Sequence, residues 1–146
     1  MFAFGVLLIG MELMRLNLTA LQQPGPLERR VANLVKHAVI RRASRNGIPP
    51  PPPGTISSEA GLARYNLDCG TCHGSHGLAQ TASGRWMYPR AADLTSQEVQ
   101  SYSDQELFWI INNGIRFTGM PGFAKVETPN HIWSLVSYVR TLPSTE

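Results

Sequence analysis

Apolar positions change their spacing several times along the chain, and each change marks a segment. From Met1 to Met11 they are nearly continuous and uncharged, until Glu12, Arg15 and Asn17 break the run. A bilayer span needs about 20 consecutive apolar residues, so this run is too short to be one. It also lacks the basic start and the small-residue cleavage site of a secretory signal. Between Pro26 and Gly47 the period becomes helical: Leu27, Val31, Leu34, Val35, Ala38 and Val39 recur at spacings of three and four. Arg29, Arg30, Lys36, Arg41, Arg42 and Arg45 fill the remaining positions, and Asn46-Gly47 supplies a stop. Such a basic amphipathic helix suits an anionic membrane surface, or equally a docked helix with a solvated charged face.

Pro49 to Pro53 are five prolines in a row, followed by Gly54. Locked near polyproline II, they form a semi-rigid spacer of about 15 Å. The run divides the chain into an N-terminal segment, residues 1–47, a linker, residues 48–54, and a C-terminal domain, residues 55–146. The domain opens on a helix that Ser57 or Ser58 can cap, with Gly61, Tyr65 and Cys69 four apart on one face. Thr95 or Ser96 caps a short run through Gln100, and Ser103-Asp104-Gln105-Glu106 is a capping box. It opens Leu107 to Asn112, a segment so apolar that it must be buried almost all round. Asn113-Gly114 ends it, and a last helix carries His131, Trp133 and Tyr138.

Charge reinforces the division. The net charge of +3 combines seven basic residues against two acidic ones up to Gly54 with six basic against eight acidic from Thr55 onward. The basic excess lies outside the C-terminal domain, so the sequence pI of about 9.2 gives no reason to expect a nucleic-acid partner.

The chain has two cysteines, and both fall in Cys69-Gly70-Thr71-Cys72-His73. Two thiols three positions apart with a histidine after the second are what covalent haem attachment requires: one thioether per vinyl group, and an imidazole for the iron. Zinc would need Cys69, Cys72, His73 and His76 on one tight turn, without a second distant pair. A thioredoxin-like pair would sit at a helix N-terminus after a buried strand, whereas Leu62 to Asp68 read as the end of a helix. A disulfide across two residues would close a small strained loop. For a second iron ligand, Met120 stands in Thr118-Gly119-Met120-Pro121, a rigid turn without apolar periodicity, and a thioether is a soft ligand. Met87, His76 and His131 are its rivals.

Gly61-x3-Tyr65-x3-Cys69-x2-Cys72-His73, followed by Thr118-Gly119-Met120-Pro121 and a last helix with Trp133 and Tyr138, resembles the class I monohaem cytochromes c of bacteria, over about Ser57 to Leu142. The resemblance implies an all-α fold around one covalent haem c, with His73 as proximal and Met120 as distal iron ligand. It implies that Gly61 lets the first helix approach an aromatic of the last, Tyr138 or Trp133. It also implies that the helix bearing Trp109 walls the haem, and that Pro89 fixes the loop beneath His73. Arg85, Trp86, Tyr88 and Arg116 are candidate partners for the propionates, since a buried carboxylate needs donors or counter-charges.

Attachment of haem to this motif takes place, in that family, on the periplasmic side of the membrane. The basic residues after Met11 would by the positive-inside rule hold the domain on the other side, so residues 1–21 read as a weak or truncated anchor. No nucleophile with its base, no carboxylate pair at motif spacing and no phosphate loop accompany the haem motif. The sequence therefore points to a one-electron carrier, membrane-associated and respiratory or photosynthetic, with redox proteins as partners. Two other readings stand beside it: a haem-based sensor or peroxidatic enzyme with an open sixth position, and a cytochrome subunit of a larger respiratory complex.

Overall fold

The structure, a computed structural model, describes residues 19–54 and 56–142; the apolar run Met1 to Met11 lies outside them. The described residues form seven helices and no β-strand: α1 (Pro26–Ala43), α2 (Ser58–Asp68), α3 (Gly70–His73), α4 (Ala82–Trp86), α5 (Gln97–Gln100), α6 (Asp104–Asn113) and α7 (Pro129–Thr141). The fold is all-α, as expected.

Each start has a local chemical cause. Ser57, not Ser58, caps α2 by accepting from the Glu59 and Ala60 N–H groups. Ser96, not Thr95, caps α5. The capping box of α6 closes in both directions, with Ser103 Oγ accepting from Glu106 N and Glu106 Oε2 from Ser103 N. Thr128 caps α7 just ahead of Pro129, whose missing N–H costs nothing at a helix's first position.

The core is built on the crossing of α2 and α7, the most extensive contact between elements. Tyr65, Ile132 and Leu135 are fully buried there, and α6 adds Leu107, Phe108, Ile110 and Ile111. The near-continuous apolar run of α6 is thus buried except at Trp109, which is only partly covered. Phe108 packs on Trp133 with ring centroids 4.7 Å apart. Arg140, in the last turn of α7, donates to Asp104 Oδ1 at 2.8 Å, to Gln100 O at 2.9 Å and to Tyr102 O, which ties α7 to the junction of α5 and α6.

The N-terminal helix is docked on this body. Ile40 is 2% exposed, His37 stacks on Tyr102 at 4.7 Å, and Lys36 Nζ lies 2.9 Å from Glu98 Oε1. Its apolar stripe does not make the contact: Leu27, Val31, Leu34, Val35 and Val39 are all exposed. The proline run also begins against the body, since Trp133 Nε1 donates to Pro49 O at 3.0 Å and Ile48 packs on the core. The run is thus held at its first residue, while Pro50, Pro51 and Pro53 are exposed.

Candidate haem site

The cysteine motif lies where α2 gives way to α3. Cys69 is the C-cap of α2, its N–H donating to Tyr65 O at 2.9 Å, and α3 is the single turn Gly70–His73. Three groups outside the motif hold that turn. Tyr65 Oη donates to Gly74 O at 2.6 Å, and burial raises the tyrosine's pKa so that the donor proton stays in place. Thr81 Oγ1 donates to Cys72 O at 2.9 Å while accepting from Gly84 N at 3.0 Å, so the residue that caps α4 also fastens α4 to the motif. Ala79 N donates to His73 O at 2.8 Å and closes the loop after the turn.

His73 Nδ1 lies 2.9 Å from Ala92 O. A carbonyl can only accept, so the hydrogen bond puts the proton on Nδ1 and leaves the Nε2 lone pair for a metal. Desolvation lowers the His73 pKa, with the Ala92 bond opposing it in part, and so favours the neutral, ligating imidazole. Pro89, the proline that the resemblance places in the loop beneath His73, stands three residues before Ala92, whose carbonyl engages the imidazole.

Burial pushes the Cys69 thiol up to about 12, with Asp68, Cys72 and Glu127 adding to the shift. Burial thus disfavours the thiolate form. Among the described residues no three His, Cys, Asp or Glu side chains come together to hold a metal. Cys69 also follows a helix rather than opening a long one after a strand, which is not the setting of a thioredoxin-like pair.

The methionine loop is pinned to the end of α6. Phe123 N donates to Ile111 O at 3.1 Å, Ala124 N to Asn112 O at 3.0 Å, and Ile115 N to Met120 O at 3.3 Å. Gly114, at φ +69°, makes this possible: a Cβ there would stand 2.6 Å from Gly122 N and 2.7 Å from Met120 O. Met120 and Trp109 are partly buried and pack on the core. Met87 reaches the same loop, its Sδ 2.6 Å from where a Gly119 side chain would begin. The two thioethers thus border one stretch of backbone.

The remaining candidates are dispersed. Arg85 and Arg116 are exposed, and Trp86 is 80% exposed. Tyr88 Oη donates to Glu28 Oε1 of α1 at 2.6 Å, which raises its pKa. Among the distal rivals, His76 is exposed three residues beyond His73. His131 is half-buried: its Nδ1 lies 2.7 Å from the buried Glu127, which also pairs with Arg64 at 3.1 Å. Thr81 and Ala92 are the supporting residues that sequence reasoning missed. An N-cap signal at Thr81 was present, but the helix it opens has only five residues.

The donor set fits a covalently held haem: two thiols three positions apart on a fixed turn, an imidazole with Nδ1 engaged and Nε2 left over, and a loop thioether on a pinned backbone. No curated protein matches the chain. Among solved structures, a chain of the Kuenenia stuttgartiensis reducing HAO-like protein complex is similar, at 25% identity and a TM-score of 0.56, over 67% of this chain and 48% of that one. The present chain thus spans about half the length of the solved chain it matches. Residues 56–139 match the model of the family described as cytochrome c oxidase, cbb3-type, subunit III, so the chain belongs to this family of c-type cytochrome domains, whose covalent haem transfers electrons.

Proposed function

We propose that the protein transfers single electrons through one c-type haem, bound by thioethers to Cys69 and Cys72 and ligated axially by His73 and Met120. The observation that carries this reading is the His73 Nδ1 bond to Ala92 O, which leaves Nε2 as the ligating nitrogen on the turn that bears both thiols. The haem supplies a metal that changes oxidation state by one electron at a potential set by its axial ligands. The chain's part is to hold those ligands still. Tyr65, Thr81 and Ala92 fix the proximal turn, and the hydrogen bonds from Phe123 and Ala124 to α6 fix the distal loop. Ligands held on fixed backbone would let the iron change oxidation state with little rearrangement, which favours a carrier over a ligand sensor or a peroxidatic enzyme.

The setting is the periplasmic side of a bacterial membrane, where the domain exchanges electrons with redox proteins, either as a carrier or as a subunit of an oxidoreductase complex. The family's description as an oxidase subunit, and the origin of the similar solved chain in a protein complex, support a place among such partners. The test is to express the chain in a host that matures c-type cytochromes and to record haem staining on a denaturing gel, iron per chain and the ferric spectrum. One covalent haem with the weak long-wavelength band of a sulfur–iron bond is expected. An unstained band, or a ferric spectrum that responds at once to cyanide, overturns the reading.

A further inference from the structure

The amphipathic helix α1 is mounted with its apolar face outward. Seen down the axis, Ile40, Asn33, Lys36 and His37 occupy the side that meets the body, where Ile40 is 2% exposed, His37 stacks on Tyr102 and Lys36 pairs with Glu98. Leu27, Leu34, Ala38, Val31, Val35 and Val39 fill the opposite side, at 100° per residue, and the Leu and Val members are 52% to 74% exposed. A helix held by its polar edge with a five-member Leu/Val stripe facing away needs a second apolar partner.

The charges around the stripe say what kind of partner that is. Arg30 and Arg41 border it on one side and Arg42 falls within it, and Arg30 and Arg42 have no ion pair among the described residues. The one acidic residue of α1, Glu28, is engaged by the Tyr88 hydroxyl. No described helix is long and apolar enough to cross a membrane. The sequence leading to α1 is uncharged from Met1 to Met11. Apolar side chains flanked by arginines, with long cationic stems able to lie along the apolar surface, match a bilayer interface with anionic headgroups.

We infer that the exposed face of α1, Leu27, Val31, Leu34, Val35 and Val39 with Arg30 and Arg42, lies on an anionic lipid surface and holds the domain beside the membrane by its N-terminal helix. This surface lies outside the residues matched by the cytochrome family, and the inference stands independently of the haem reading. The helix lies on the bilayer while Ile40 and the Lys36–Glu98 pair keep the body fixed to it, so the orientation of the domain to the membrane is set by the docked face of the same helix.

The test is flotation of the full-length protein with liposomes of phosphatidylcholine alone and with about a third phosphatidylglycerol, at low and high salt. Binding to the anionic liposomes is expected to weaken at high salt, as screening shortens the reach of the arginines. The double variant Arg30→Gln/Arg42→Gln should lose affinity by about fivefold per arginine. Val31→Gln/Leu34→Gln should lose at least about tenfold, from lost apolar burial. Both pairs are exposed, so the helical circular dichroism of the variants should match the parent and show that folding is intact. Equal binding by both variants and the parent overturns the inference. So does a parent that sediments as a dimer and becomes a monomer on Val31→Gln/Leu34→Gln, since a second copy would then cover the stripe.

Discussion

Gly61 of α2 lies so close to α7 that a Cβ built on it would stand 2.0 Å from the Ser134 carbonyl oxygen, with Tyr138 Cβ at 2.8 Å. The obstacle is backbone, and backbone in the middle of a helix cannot step aside. Of the two aromatics that the resemblance offered, Tyr138 is the one met at this point, while Trp133 turns to Phe108 and Pro49. Gly61→Ala should therefore force the two helices apart. The better helix propensity of alanine returns only about 1 kcal/mol, against overpacking of about 1–3 kcal/mol or more. A lower denaturant midpoint is expected, with net destabilisation of about 2 kcal/mol. A midpoint equal to the parent's would mean that the crossing is looser than described.

A second effect on stability depends on pH. Asp68 Oδ2 is buried with no hydrogen-bond partner, and the carboxyl pKa is raised by desolvation first, then by Glu127 beside it, with Arg64 opposing. The folded state thus holds a proton on Asp68 more tightly than the unfolded chain does. The associated stability is fully present below the ordinary aspartate value of about 4 and is lost as pH rises through the raised folded value. Asp68→Asn removes the charge and should stabilise the protein at pH 7 while changing little near pH 4. Urea midpoints of parent and variant at both pH values decide the matter, and a variant less stable at neutral pH would contradict the sign.

How much of this was legible in the sequence depended on where the information lay. Gly61 could be read because it shares a four-residue register with Tyr65 and Cys69, and Ser103 because its partner Glu106 is three residues away. The carbonyl that orients His73 could not: a backbone acceptor leaves no side-chain trace, and Ala92 is 19 residues distant. Nor did spacing alone show that Glu127, four residues before His131, is buried and paired with Arg64. In α1 the periodicity identified the apolar face correctly but not what covers it. A moment gives the direction of a stripe, and docking through Ile40 turned that stripe outward.

Gly114 offers a test of the distal loop in which no proposed ligand is substituted. With φ at +69° and Met120 O only 2.7 Å from the position of a Cβ, Gly114→Ala is both strained and blocked by backbone. The loop should shift away from α6 and carry Met120 with it. Loss of the sulfur–iron band in a fraction of molecules, with the covalent haem retained, is the expected outcome. Gly119→Ala is the control, because there the neighbour is the flexible end of Met87, which can move aside. If the two variants give the same spectrum as the parent, the loop does not set the distal ligand.

The choice of distal ligand rests between the two methionines that border the loop. Met120 is carried by backbone that is hydrogen-bonded to α6 through its neighbours, and its own N–H donates to Thr118 Oγ1 at 3.1 Å. Met87 lies outside α4 as its C-cap, with its thioether resting on Gly119. A ligand must be held in one place in both oxidation states, and of the two only Met120 has its backbone fixed on both sides. A thioether opposite an imidazole favours the reduced metal, so the parent should have a positive potential, on the order of a few hundred millivolts. Met120→Ala should keep the covalent haem, lower the potential by on the order of 100 mV or more, and let carbon monoxide or cyanide bind. Met87→Ala should leave the sulfur–iron band and the potential nearly as they were. If the effects are reversed, Met87 is the ligand and Met120 packs beside it; if Met120→Ala still shows the band and only the double variant loses it, Met87 moves across the short distance over Gly119 and takes the vacated place.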